Sequence, residues 1–424
     1  MNIGFYFGRE THLKTLGALV QESIARHHDV RLFFHQPTQG LGEKSYQMVK
    51  PNALAPFGLP STKMIGVNDF PQLVSSSFDL DVLIVHEGFH TLNKHLKYVT
   101  ELRRRGTRVV SVMHFFETAQ QPLLALDAFD LTVYPSDFGR DLHFRLQCPK
   151  ENRAYEKESR QYQYVVAGEP MFDQIGKISR EQSRAELNIS SSARLVLFIA
   201  PVISLATPWR FHVWARKDKM AQTRDVLRLG KPQYLYEIWA GHRFGDVVKA
   251  IRKFCDRNSA QLVVKSRGKQ KIWPVLEQSA DLFIDGFKDV YFPVFTTYKL
   301  MAAADLCITV NSMAATEAVG SGIPCVNIYV PHLDMAAPLD RTKCEYLNIL
   351  LNGKPNSLMN YSGCISKVDR RKFVNWLNGK KITNFEVDHE SQKTYKRKFL
   401  GMEELSASER ILNRLSNLVN GKSA

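Results

Sequence analysis

The segment from Thr296 to Pro331 constrains the fold more than any other part of the sequence. Two helical patterns alternate there with two short apolar runs, in the order Tyr298–Ala304, Leu306–Val310, Met313–Val319 and Cys325–Val330. Short apolar runs that are rich in β-branched residues are typical of strands buried on both faces of a parallel sheet. Glycines and a proline separate the second helix from the second strand, as expected for a helix end. The segment therefore predicts a compact βαβ unit.

Polar residues occupy the junction between the first strand and the second helix of this unit. Asn311 and Ser312 are predicted to cap the helix, and Thr316 and Glu317 lie one turn further along. In an open parallel sheet, ligands bind at such junctions, where the N–H groups of a helix start can face an anion. A simpler interpretation remains open, because a serine between a strand and a helix often serves only as a cap.

The same segment resembles the nucleotide-sugar half of GT-B glycosyltransferases. In that family a helix ending in Ala-Asp, a strand, a Ser or Gly turn, a Thr-x-x-Glu-Ala helix and a Gly-x-Pro turn follow one another. The matching residues are Ala303, Ala304, Asp305, Ser312, Thr316, Glu317, Ala318, Gly322 and Pro324. The resemblance implies that Glu317 binds the donor ribose and that the turn Asn311, Ser312, Met313 faces the diphosphate. Met313 and Ala314 stand where relatives often have glycine.

Length and composition suit two domains and indicate anionic partners. The 424 residues fit two domains of ordinary size, and the net charge of +15 indicates phosphorylated substrates, nucleic acid or an anionic membrane surface as partners. The six cysteines have neither metal-binding nor disulfide-framework spacing: Cys148, Cys255, Cys307, Cys325, Cys344 and Cys364. The sequence begins with a strand pattern rather than a signal peptide, and no apolar run is long enough to span a bilayer. We expect a cytoplasmic protein.

The first half predicts a Rossmann-like domain without the dinucleotide fingerprint. A strand at Asn2–Phe7, a glycine loop, a helix at Thr11–Ala25 and a strand at Val30–Phe34 follow in order, but no GxGxxG is present. Later strands deliver polar residues to the predicted carboxyl edge of the sheet, namely Glu87, His114 and Ser136, and the loop after the first strand adds His12. His114, Glu87 and His12 are the candidate bases. Each of these polar residues can also be explained as a local cap or a satisfied buried group.

The boundary between the two domains is predicted from a further resemblance. GT-B proteins commonly carry GxPxxD after the last strand of the first domain and then an Arg-Leu-rich helix, and GEPMFD at Gly168–Asp173 and RAELNI resemble them. The predicted divisions are an N-terminal Rossmann-like acceptor domain, an interdomain passage, a nucleotide-donor domain and a C-terminal segment: 1–168, 169–192, 193–355 and 356–424.

Several features of the second half complete the predicted site. Lys265 and Arg267 follow a strand, where cations suit recognition of a diphosphate. The resemblance places the turn that contains Phe287 beside the donor base. The insertion 204–232 mixes aromatic and basic residues and is either an ordinary loop or a patch that contacts an anionic membrane surface or an acidic acceptor. A capping box at Ser406 and Glu409 predicts a final helix, which in GT-B relatives returns to the first domain.

The resemblance and the residues together predict an α/β protein with two Rossmann-like domains facing a cleft, and a glycosyltransferase that moves a sugar from a nucleotide-activated donor to an acceptor hydroxyl. We expect a glycan or glycolipid acceptor, no cofactor and no nucleic-acid partner, with peripheral attachment to the membrane through 204–232. A metal-independent mechanism is expected because Asp79 and Asp81 precede a strand instead of following one. The alternatives are CDP-glycerol-type phosphotransfer, nucleotide-sugar 2-epimerisation, or a basic RNA- or membrane-binding protein on a degenerate GT-B scaffold.

Overall fold

The computed structural model describes eight stretches of the chain: 1–35, 48–87, 96–114, 129–147, 163–200, 244–266, 274–329 and 355–421. The chain divides into two compact units. Unit 1 comprises Met1–Lys177, Val290–Phe295 and Lys396–Ala424, and unit 2 comprises Ile178–Asp289 and Thr296–Tyr395. Each unit therefore contains segments that are distant in sequence.

Unit 1 is built on seven strands and five described helices. The strands are β1 Asn2–Phe7, β2 Asp29–His35, β3 Met64–Val67, β4 Val82–Glu87, β5 Arg108–Met113, β6 Leu131–Tyr134 and β7 Tyr164–Val166. The helices are α1 His12–Ala25, α2 Phe70–Ser76, α3 Leu96–Arg104, α4 Asp137–Gln147 and, near the end of the chain, α12 Ala407–Val419. Short 3-10 turns occur at Pro51–Phe57, Ser61–Lys63 and Pro170–Lys177.

The strands of unit 1 form one parallel sheet in the order β3-β2-β1-β4-β5-β6-β7. Its central strands are apolar on both faces, which is what a sheet covered by helices on both sides requires. From β1 the chain proceeds to β2 on one side, whereas from β4 it proceeds to β5 on the other. The carboxyl ends of β1 and β4 therefore flank a topological switch point, the usual ligand position in such sheets.

Unit 2 has six strands and seven described helices. The strands are β8 Arg194–Ile199, β9 Ala260–Lys265, β10 Leu282–Ile284, β11 Leu306–Val310, β12 Cys325–Tyr329 and β13 Ile365–Asp369. The helices are α5 Arg180–Glu186, α6 Phe244–Arg257, α7 Pro274–Ser279, α8 Thr296–Ala303, α9 Ala314–Gly320, α10 Arg370–Asn378 and α11 His389–Tyr395. The parallel sheet has the order β10-β9-β8-β11-β12-β13, so its switch point lies between β8 and β11.

The fold class predicted from the sequence is confirmed: two parallel α/β sheets with interleaved helices form a GT-B-like pair of Rossmann-like units. The final helix also returns to unit 1, as predicted. Its capping box is present, since Ser406 Oγ accepts from Glu409 N at 3.1 Å and Glu409 Oε2 accepts from Ser406 N at 2.8 Å. None of the described helices has the length and apolarity needed to cross a bilayer.

Asp173 joins α12 to the rest of unit 1. Its carboxylate accepts hydrogen bonds from the N–H groups of Ala407 and Ser408, at 2.9 and 2.8 Å, and from the Ser408 hydroxyl at 2.6 Å. A carboxylate at the first turn of a helix satisfies N–H groups that have no partner within the helix. Ile411, Leu412 and Leu415 of α12 then pack in the same core cluster as Leu16 of α1.

Candidate functional site

Two of the predicted bases, His12 and His114, lie close together at the carboxyl edge of the unit 1 sheet. His86 lies beside them, and the three residues are called the histidine cluster below. The ring centroids of His12 and His86 are 4.4 Å apart and the rings are stacked, and His86 and His114 lie edge to face at 5.9 Å. The Nδ1 atom of His12 accepts from Gly8 N at 3.3 Å, which fixes the ring at the start of α1. The switch point of unit 1 is therefore lined with imidazoles.

The alternation of strand residues explains why these rings meet. His86 is two residues after Ile84, and both Ile84 and Val112 belong to the core cluster that packs against α1. In the parallel register His86 is opposite Val112, and His114 follows two residues later. Side chains two residues apart share a face of the sheet, so β4 and β5 direct both histidines toward the helix that begins with His12.

Burial keeps the cluster neutral. It lowers the pKa of His86 to about 4, with the neighbouring Arg9 charge acting in the same direction. It also holds the pKa of His12 and of His114 well below the ordinary histidine value, and the adjacent His86 lowers both further. Neutral imidazoles can accept a proton at neutral pH, which is the requirement for a general base.

Glu169 lies beside His114 and was not among the predicted site residues. It follows β7 at the same edge of the sheet, its side chain is 1% exposed, and its Oε1 lies 3.5 Å from Nε2 of His114. The His114 side chain is 22% exposed, so this imidazole reaches solvent while its carboxylate neighbour does not. The sequence did contain a signal for Glu169, since it directly follows a predicted strand, but the GEPMFD resemblance assigned that stretch to the interdomain passage.

Other predicted residues of unit 1 have structural contacts or lie partly outside the description. Glu87 ends β4 opposite Met113, and its side chain is outside the described part of the structure. Ser136 is a helix cap, because its Oγ accepts from Gly139 N at 3.1 Å. Asp79 pairs with Arg31 at 2.5 Å and Asp81 accepts from the backbone of the first strand, so both have structural roles.

In unit 2, the predicted donor turn follows β11 at the switch point. Asn311 adopts a left-handed φ of 41°, and Met313, rather than Asn311 or Ser312, occupies the N-cap position of α9. This corrects the predicted cap pair: the helix begins one residue later because the left-handed Asn311 turns the chain before the first helical residue. Ser312 Oγ instead accepts from Ala314 N at 3.3 Å.

The first-turn N–H groups of α9 already have acceptors within the chain. The N–H of Ala315 bonds to Ser312 O, and those of Thr316 and Glu317 bond to Met313 O, at distances between 2.9 and 3.3 Å. Thr316 Oγ1 also donates to Met313 O at 2.8 Å. Glu317 is 7% exposed. A phosphate here would compete with these bonds, so the predicted diphosphate contact of Asn311, Ser312 and Met313 remains a hypothesis.

The remaining predicted donor residues differ in their contacts, and some of them lie outside the described residues. Lys265 ends β9, and its Nζ lies 2.8 Å from Asp289 Oδ2 with both side chains buried, so the lysine charge is already compensated. Ser266 Oγ accepts from Gly286 N at 3.0 Å and holds the following turn. Phe287 belongs to the 3-10 turn Gly286–Lys288, although its side chain is not described. Arg267 and the insertion 204–232 lie outside the described residues.

The site residues thus fall into two groups, a histidine cluster with Glu169 in unit 1 and the Asn311–Glu317 turn in unit 2. Each group lies at the carboxyl edge of its own sheet. Within the described ranges, no three His, Cys, Asp or Glu side chains are placed to hold a metal ion together. The chemistry available from these groups is proton transfer by imidazole and carboxylate, together with hydrogen bonding to hydroxyls.

Comparison with known proteins identifies the fold. Similar solved structures include a protein of Listeria monocytogenes assigned as a UDP-N-acetylglucosamine 2-epimerase, with 10% identity over 99% of this chain and 97% of that chain, at a TM-score of 0.57. The UDP-GlcNAc 2-epimerase from Neisseria meningitidis bound to UDP-GlcNAc has 12% identity over 98% of this chain and 100% of that chain, at a TM-score of 0.51. The wall teichoic acid polymerase TagF has 11% identity over 99% of this chain and 89% of that chain, at a TM-score of 0.53. No family model and no curated protein sequence matches the chain. At these identities the likeness shows the GT-B fold.

Proposed function

We propose that the protein is a nucleotide-dependent glycosyltransferase that transfers a sugar from an activated donor to an acceptor hydroxyl. The single observation that carries the proposal is the pairing of a neutral, solvent-reaching His114 with the buried carboxylate of Glu169, 3.5 Å away at the carboxyl edge of the unit 1 sheet. A general base needs an acceptor nitrogen, access to substrate and a partner that stabilises the imidazolium once it forms. This pair offers all three.

In the proposed reaction, His114 acts on the acceptor and unit 2 holds the donor. A ring nitrogen of His114 takes the proton of the acceptor hydroxyl. The acceptor oxygen forms a bond to the anomeric carbon of the sugar, and the bond from that carbon to the diphosphate oxygen breaks. The nucleoside diphosphate leaves with the electron pair, and Glu169 stabilises the positive charge on His114.

The donor assignment rests on Glu317 and on the structural relatives. Glu317 is largely buried near the carboxyl edge of the unit 2 sheet, where a carboxylate can accept from both ribose hydroxyls. The solved relatives include an epimerase bound to UDP-GlcNAc and a TagF variant soaked with CDPG. We infer a nucleotide-linked donor from these two lines, and a cell-envelope glycan or glycolipid as the acceptor.

A second candidate function is nucleotide-sugar 2-epimerisation, because several of the relatives with the same fold are 2-epimerases. An epimerase converts its nucleotide sugar without any acceptor, whereas a glycosyltransferase needs one. CDP-glycerol-type phosphotransfer is favoured by the likeness to TagF and would transfer a phosphate-containing group to the acceptor. Product analysis with and without acceptor separates the three reactions.

The first experiment identifies the donor. A thermal-shift panel of UDP-, GDP-, CMP- and CDP-linked compounds should raise the melting temperature with one nucleotide class, because a ligand that binds the folded state stabilises it by mass action. The Glu317→Ala variant should lose that shift. A protein that responds to none of the nucleotides, but binds RNA or vesicles, would support the basic binding protein instead.

The second experiment tests the base. With the donor known, His114→Ala should lower kcat by about 10²- to 10⁴-fold, the usual range for loss of a general base, with little change in donor affinity. Glu169→Gln should lower kcat less and shift the pH profile, because it removes the charge that stabilises imidazolium. Glu87→Gln and His12→Gln, measured in the same assay, are the competing assignments. If only the Glu87 variant is inactive, the base is Glu87 and the proposed role of His114 is wrong.

A further inference from the structure

A cavity of about 580 Å³ opens on unit 2, away from the residues discussed so far. Three cations line it together with polar side chains: Arg194, Arg257, Lys381, Ser192, Asn258 and Thr383 are among its lining residues. Arg194 is the first residue of β8, and Asn258 lies two residues before β9. Because the strands of this sheet are parallel, the cavity lies at the amino edge, opposite the edge that carries Lys265 and the Asn311–Glu317 turn.

The three cavity cations, Arg194, Arg257 and Lys381, are exposed side chains. Three less exposed cations of this unit face carboxylates: Arg184 with Asp305, Arg252 with Asp281, and Lys265 with Asp289. Within the described part of the chain, no carboxylate lines the cavity, and none forms an ion pair with Arg194, Arg257 or Lys381. Like charges that converge without a counter-ion repel one another. Their arrangement leaves a positive concavity that an anion would neutralise.

Parts of the cavity wall are fixed by hydrogen bonds. Arg257 donates to the Leu377 carbonyl at 3.2 Å, which ties the end of α6 to the end of α10. Asn258 Oδ1 accepts from Ile382 N at 2.9 Å and holds the turn between Lys381 and Thr383. The cations are therefore carried by backbone segments whose positions are set before any ligand arrives, which lowers the cost of ordering the site.

We propose that this cavity is a second anion site, specific for phosphate groups, that is separate from the donor site. Two guanidinium groups, one ammonium group and several hydroxyls supply positive charge and hydrogen-bond donors to oxygen, and arginine matches the oxygens of a phosphate bidentately. The volume exceeds that of a single ion and suits a diphosphate or a longer phosphorylated chain. The phosphate comes either from a soluble phosphorylated compound or from a lipid headgroup.

Inorganic pyrophosphate and vesicles of phosphatidylglycerol are the two probes. The test variant is Arg194→Ala with Lys381→Ala, which removes two cavity charges and keeps Arg257, whose bond to α10 is structural. The matched control is Lys249→Ala with Lys253→Ala, which removes two exposed charges of α6 outside the cavity. Both variants should have the melting temperature of the wild type.

We expect the cavity variant to bind one of the probes at least ten-fold more weakly in calorimetric or sedimentation assays, as for the loss of charge-assisted hydrogen bonds. The control should bind as the wild type does. Loss of pyrophosphate binding assigns a soluble ligand, and loss of vesicle binding assigns a lipid headgroup. Unchanged binding of both probes, or equal loss in the control, overturns the proposal. Nucleotide binding, measured separately, does not depend on this outcome.

Discussion

Acidification should destabilise the protein through the histidine cluster, and His86 allows the effect to be measured for one residue. The residue is 5% exposed, and neither ring nitrogen has a hydrogen-bond partner among the described residues. Burial lowers its folded pKa to about 4, whereas the unfolded chain protonates near 6.5. Because the unfolded state binds the proton first, stability is fully present above the unfolded pKa and is lost as the pH falls toward the folded pKa.

The size of the effect follows from these two pKa values. Between pH 7 and pH 5 the unfolded histidine becomes almost fully protonated while the folded one stays almost neutral. Proton linkage then lowers the free energy of unfolding by about 2 kcal/mol for His86 alone. His12 and His114 act in the same direction, since their folded pKa values are also lowered. The whole cluster should therefore make the protein sensitive to mild acid.

Urea unfolding of the wild type and of His86→Gln at both pH values measures the contribution. Glutamine does not titrate in this range, so the variant should lose about 2 kcal/mol less than the wild type on going from pH 7 to pH 5. Its stability at pH 7 is a separate quantity, because it also includes the lost stacking on His12. His389→Gln removes an exposed histidine of α11 and should behave as the wild type. The same pH dependence in His86→Gln and the wild type would refute the reasoning.

Three further predictions concern other parts of the chain. Glu317→Ala should weaken nucleotide binding by about 1–3 kcal/mol in calorimetry with little change in unfolding, because a charged hydrogen-bond acceptor is lost; normal binding would reduce Glu317 to a structural residue. Gly17→Ala should destabilise by about 1–3 kcal/mol in urea, because the added methyl group meets the ring of Phe292. In a Phe292→Ala background the same change should instead stabilise the protein by up to about 1 kcal/mol, because alanine has a higher helix propensity than glycine. Equal effects of Gly17→Ala in both backgrounds would show that the methyl group does not meet Phe292. Trp209→Ala with Trp214→Ala should reduce binding to anionic vesicles and leave nucleotide binding intact; loss of both would place the tryptophans in the core.

Strands that are continuous apolar runs could be predicted from the sequence, whereas the edge strands β3 and β13 could not. The bounds of β1 and β11 agree with the predictions, because a strand buried on both faces is a short apolar run with clear ends. No strand was predicted at β3, which is a half-buried edge strand of only four residues. β13 was missed because its sequence, ISKVD, contains polar residues and is not a continuous apolar run.

The candidate site could be predicted only strand by strand. Position at a carboxyl edge was enough to select His114 and His12. Their proximity, and the inclusion of His86, depend on β1 pairing with β4, and a sequence does not state which strands are neighbours. Glu169 reaches His114 because β7 closes the same sheet two strands away from β5. Side-chain contacts across a parallel sheet arise from strand order, which is decided by long-range packing.

The discontinuity of unit 1 has a consequence for synthesis on the ribosome. Domains generally fold in order as they emerge, with the N-terminal one first. Here the first 177 residues emerge without Phe292 and without Ile411 of α12, both of which belong to the core cluster that covers α1. Unit 1 can close its core only after all of unit 2 has been translated. Residues 1–177 of the nascent chain therefore expose an apolar surface until residues 396–424 have been synthesised. Exposed apolar surface of this kind is what chaperones bind.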